Sequence, residues 1–111
     1  MIHLLKTKAT KRQVTEMLEM LGSYIKLTVD IERGIIAGGG TLHADCEAML
    51  LNDGSKQKNI WGEDWIPATQ EVTFEALINI SPGRNNMSME IQDEEVKKRI
   101  KEIVIQILGN T

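Results

Sequence analysis

From Ile25 to Glu32 apolar and polar residues take turns: Ile25, Leu27, Val29 and Ile31 stand against Lys26, Thr28, Asp30 and Glu32. A period of two predicts a strand over Ile25–Ile31 with one buried face. The same alternation runs through Thr41–Leu51, with Leu42, Ala44, Cys46, Ala48 and Leu50 opposite Thr41, His43, Asp45 and Glu47, and predicts a second, longer strand. Glu71–Ile80 reads likewise, since Val72, Phe74, Ala76, Ile78 and Ile80 share one face. Two stretches follow the helical period instead. Val14, Met17, Leu18 and Leu21 form a stripe after Thr10 and Gln13, a capping-box pair, and Gly22 supplies the usual helix end. Val96, Ile100, Ile103, Val104, Ile107 and Leu108 form a broader stripe after the N-cap Asp93, with Glu94 and Glu95 placed to suit the helix dipole and Gly109 at the end.

Between these elements the breakers predict the connections. Glu32-Arg33-Gly34 has the form of a hairpin loop returning into a short strand at Ile35–Ala37, and Gly38-Gly39-Gly40 implies a bulge, a bend or close backbone approach. Asn52 to Ser55 is a turn, and Lys56–Trp61 reads as a polar strand suited to an exposed sheet edge. Gly62–Gln70 and Ser81–Asn86 read as loops, Met87–Ile91 as a final short strand, and Ile2–Leu5, ahead of the first helix, as a short strand or a tucked-in arm. The sum is an α+β fold in a single domain over 1–111: a helix, about six mainly antiparallel strands and a second helix, with both helices on one face of the sheet. The opposite face would then be the acidic one.

Composition narrows the class. At 111 residues, 41% of them hydrophobic, the chain is long enough for one core without staples. No apolar run reaches the ~18 residues of a membrane span, and the charged N-terminus does not read as a signal peptide, so a cytoplasmic location is expected. A net charge of −3 with dispersed Lys and Arg argues against a nucleic-acid binder. The lone cysteine excludes an internal disulfide.

As a set, the segments DIERGIIAGGGTLHADCE, DGSKQ, NIWGEDWIP, FEALINISP and SMEIQD resemble a small family of prokaryotic proteins known as a domain of unknown function. The resemblance covers most of the chain and implies no activity, substrate or site.

Candidate chemistry therefore rests on the residues themselves. His43, Asp45 and Glu47 on one strand face, with Asp30 and Glu32 beside them on a neighbouring strand, would form an acidic surface. They would also offer imidazole and carboxylate donors to zinc, manganese or iron, although no cofactor is required by the pattern. A solvated strand face is the plainer alternative. Cys46 is expected buried and inert, on the face opposite His43. The triple glycine matches no phosphate-binding spacing. Trp61 and Trp65 are candidates for an aromatic rim or for closing the core, and Arg84 for an anion contact or a solvated loop position. Two functions follow: a binding module whose acidic face meets a protein partner or a second copy of the chain, or a metal-assisted hydrolase or other small enzyme built on His43, Asp45 and Glu47.

Overall fold

The computed structural model describes residues 1–111. In chain order it comprises β1 (His3–Leu5), α1 (Lys11–Leu18), β2 (Ile25–Asp30), β3 (Ile35–Gly40), α2 (His43–Asn52), β4 (Ile60–Ile66), β5 (Glu71–Thr73) and α3 (Glu94–Leu108). The five strands form one sheet in the order β1-β3-β2-β4-β5, antiparallel at every pairing. The class is α+β, with five strands in place of about six and three helices in place of two.

The two helices expected from their stripes form where their caps direct. The Thr10 hydroxyl accepts from the Gln13 amide at 3.1 Å while the Gln13 side chain accepts from the Thr10 amide at 2.9 Å. Asp93 Oδ1 accepts from the amides of Glu95 and Val96 at 2.9 and 3.3 Å. Val14 and Met17 of α1 and Ile100, Ile103, Val104 and Ile107 of α3 join Ile25, Leu27 and Val29 of β2 in one buried cluster. Each such side chain contributes about 1.5–3 kcal/mol on burial.

The other face of the sheet is covered as well. Thr41–Leu51, expected as a strand, is largely α2, and Cys46 and Leu50 of this helix pack with Ile35, Ala37 and Ile60 in a second buried cluster. The physical reason lies in residue type. Leu42 to Asn52 contains no β-branched side chain but holds two Ala, three Leu, a Met and a Glu, all strong helix formers. No acidic sheet face is left open to solvent.

The β2–β3 hairpin turns as expected, with Gly34 at φ +68°. Its far end explains the triple glycine. Lys26 pairs with Gly40 but Leu27 with Gly38, so Gly39 is an inserted residue at φ +106°. A Cβ on Gly39 would strike the Met1 carbonyl oxygen and stand 3.0 Å from the Met17 Cα, which is how α1 comes so close to the sheet.

The second half of the chain departs most from expectation. A short 3-10 turn over Gln57–Asn59 replaces the exposed edge strand and leads into β4, which lies between β2 and β5 and contains the WGEDW stretch read as a loop. β5 ends at Thr73, well short of Ile80, and Met87–Ile91 forms no strand. Past Thr73 the chain crosses over β4. Gly62 of β4 is paired by a side chain: the Asn79 carboxamide accepts from the Gly62 amide at 2.7 Å and donates to the Gly62 carbonyl at 2.8 Å. Gly62 must lack a side chain here, because a Cβ would lie 2.5 Å from the Ala76 Cβ and 3.0 Å from the Ile78 Cγ1.

Candidate functional site

A cleft of ≈ 450 Å³ opens where the start of α2 meets β2, β4 and the crossing segment, bounded by Lys26, Leu42, His43, Asp64, Glu75, Leu77 and Met89 among others. Its floor is polar. Strand register sets Lys26 directly opposite Asp64, on the α2 side of the sheet. His43, at the first turn of α2, brings its Nε2 to 2.8 Å from the Glu63 carbonyl oxygen and 3.1 Å from Asp64 Oδ1. One Nε2–H cannot satisfy both acceptors well. It donates to the carbonyl, and Asp64 Oδ1 stands beside it as a charge, buried and accepting no hydrogen bond. Lys26 turns its ammonium to the Thr41 carbonyl at 3.0 Å.

The rim is apolar. Leu42 is 57% exposed, Leu77 72% and Met89 42%, and all three border the cleft. An exposed leucine alone has no special meaning, but several grouped around one concavity mark a contact surface.

The residues singled out from the sequence are dispersed. On α2 successive residues turn by about 100°, so Glu47 lies one turn from His43 while Asp45 points away, exposed. Asp30 is fully buried at the end of β2, where its Oδ1 accepts from the Glu32 and Arg33 amides at 2.9 and 3.0 Å and holds the hairpin turn. Glu32 is exposed at that turn. Asp30, Glu32, His43, Asp45 and Glu47 thus share no surface, and no three His, Cys, Asp or Glu side chains anywhere stand close enough together to hold an ion.

Trp61 and Trp65 form no rim. Both point from β4 into the cluster beneath α1 and α3, 5% and 0% exposed. Arg84 covers the first of them. Its guanidinium lies 3.7 Å from the Trp61 ring centroid and donates to the carbonyls of Ile60 at 2.6 Å and Ile78 at 3.3 Å, so it staples the crossing segment to β4 instead of facing an anion. Burial lowers its pKa.

Cys46 is buried, as expected, but by a different geometry. On a helix it sits one turn from His43 on the same side, not on an opposite face. Burial pushes its thiol pKa up, away from the reactive thiolate, and its Sγ lies 3.7 Å from the Lys26 carbonyl.

Sequence reasoning missed Lys26, Glu63 and Asp64. Glu63 is the most unusual of them, a carboxyl fully buried on the core side of β4 opposite Leu27, neither oxygen accepting a hydrogen bond. Burial, and then the neighbouring Asp64 charge, raise its pKa well above the ordinary carboxyl value. The signal was present in Trp61-Gly62-Glu63-Asp64-Trp65, where a strand reading puts the acid on the face of both indoles.

The family model for a protein of unknown function, DUF5674, matches residues 3–107, and the chain belongs to this family. No curated protein and no solved structure matches it. No helix is long and apolar enough to cross a membrane.

Proposed function

For a member of a family with no assigned activity, we propose a small binding module whose occupant lies in the cleft between the start of α2 and the crossing segment. One observation carries this reading: three exposed apolar side chains, Leu42, Leu77 and Met89, ring a floor on which Asp64 Oδ1 is buried without a donor. A volume of ≈ 450 Å³ suits one or two inserted side chains. The occupant that answers both features is a segment of a protein partner, a second copy of this chain included, with a large apolar residue beside a lysine or arginine. The apolar group covers Leu77 and Met89, and the cation approaches Asp64 and Glu75. The recognition surface is therefore a mixed cleft, not the acidic sheet face expected from alternation.

The enzyme reading has less support. His43 and Asp64 have the composition of an acid–base pair, but the imidazole N–H is held by a backbone carbonyl and no serine, threonine or cysteine borders the cleft.

Display of random peptides on phage tests the proposal, with selection on the intact protein. Enriched peptides should pair a large apolar residue with Lys or Arg, and synthetic copies should bind at least about tenfold more weakly to Leu77→Ser and to Asp64→Asn. No enrichment, or binding indifferent to both substitutions, refutes it.

A further inference from the structure

A second pocket lies at the opposite end of the α2-covered face, independent of the cleft. It measures ≈ 250 Å³ and is lined by Asp30, Glu32, Arg33, Gly54, Lys56, Lys58 and Asn59, with no hydrophobic side chain among them. A latch forms its wall. Arg33 donates to the Ser55 hydroxyl at 2.8 Å and to Asp53 at 2.7 Å, fastening the β2–β3 turn to the segment after α2, and Lys6 adds a third charge to Asp53 at 3.0 Å.

Two features remain unanswered by the protein. Asp30 is fully buried, and while its Oδ1 is taken by two turn amides its Oδ2 accepts nothing. Buried carboxylate oxygens ordinarily have a donor. Across the same pocket Lys56 and Lys58 are exposed and neither has an acidic partner within ion-pair distance, unlike Arg33 and Lys6. A simple anion would meet the lysines but oppose Asp30 and Glu32. A simple cation would meet Asp30 but oppose the lysines. A molecule carrying both signs a few ångströms apart answers all four.

We propose that this pocket binds a small zwitterion of amino-acid size, its ammonium donating to Asp30 and its carboxylate accepting from Lys56 and Lys58. The volume admits a free amino acid, and the wholly polar lining, which gives no place to a long apolar side chain, favours the small and polar ones.

The test is amide-resolved NMR titration of the full chain with glycine and L-serine, with acetate and glycinamide as single-charge controls. Glycine or serine should shift the amides of Glu32, Arg33 and Asn59, saturably, and bind at least about tenfold more tightly than either control. Asp30→Asn retains an oxygen for the turn amides and should leave the spectrum folded while weakening serine at least about tenfold, as should Lys56→Gln with Lys58→Gln. Should Asp30→Asn fail to fold, the lysine pair decides alone. Absence of a saturable shift with both amino acids overturns the proposal. So does acetate or glycinamide binding as well as glycine, which would reveal a site for one charge only.

Discussion

Glu63 makes the stability of this protein depend on pH in a way that can be calculated. Its carboxyl is fully buried, without a hydrogen bond, and its pKa in the folded state is raised well above 4.5, first by burial and then by Asp64. In the unfolded chain it titrates near its ordinary value. Between those two pKa values the folded protein holds a proton that the unfolded protein has lost, so stability is full below the unfolded pKa and falls as pH rises toward the folded one. The slope inside that interval is about 1.4 kcal/mol per pH unit. For a domain whose whole stability is typically about 5–15 kcal/mol, this is a large share. The four other perturbed groups act elsewhere: Asp53 is lowered from 3.8, Cys46 raised from 9.0, Lys97 raised from 10.5, and Arg84 lowered by burial from its strongly basic value. Urea denaturation of the native chain and of Glu63→Gln, at intervals from pH 5 to pH 8, isolates the effect. The glutamine keeps the shape and the burial but has no proton to lose. Subtracting its profile should leave a decline of about 1.4 kcal/mol per unit at the acid end. Parallel profiles over the whole range would show that the carboxyl is solvated or paired, and the reasoning would fail.

Three further outcomes follow from the β4 contacts and the second cluster. Asn79→Ala strands the Gly62 amide and carbonyl and leaves the Met89 carbonyl with the Ala76 amide alone, and should cost about 2–4 kcal/mol in urea denaturation, whereas a loss below about 1 kcal/mol would mean the carboxamide pairing is unimportant. Gly62→Ala should cost about 1–3 kcal/mol, and less in combination with Ala76→Gly, because the added methyl lies 2.5 Å from the Ala76 Cβ; simple additivity would contradict that contact. Cys46 should resist a polar disulfide reagent until the protein unfolds, and rapid labelling of the native chain would contradict its burial.

The elements legible in the sequence are those whose local signals agree. Thr10 with Gln13, and Asp93 before its acidic turn, announce α1 and α3 because cap chemistry and the 3.6-residue stripe point the same way. β2 and its hairpin were legible through alternation and Gly34. α2 was misread because two signals conflict there: Leu42 to Leu50 alternates like a strand, while its alanines, methionine and leucines favour a helix, and tertiary packing of Cys46 and Leu50 on the sheet settled the matter. β4 was hidden for another reason. Its glycine and acids read as loop residues unless one knows that Ala76 and Ile78 fill the space above Gly62 and that a carboxyl lies in the core. The candidate site suffered most from this. His43 was found, but Asp64 and Lys26, which share its cleft, come from strands whose register no local pattern discloses.

The substitution of one carboxamide for a strand beside Gly62 also bears on how the molecule behaves at high concentration. β5 pairs only with Asp64, Trp65 and Ile66, so without Asn79 the middle of β4 would present free amide and carbonyl groups along an unguarded border. Such a border recruits extended segments from neighbouring molecules. Asn79 closes it with a side chain that offers no continuing ladder, and the crossing segment lies over it. The Asn79→Ala protein should therefore do more than melt early: its losses should grow with protein concentration, through intermolecular strand pairing that the native chain forecloses.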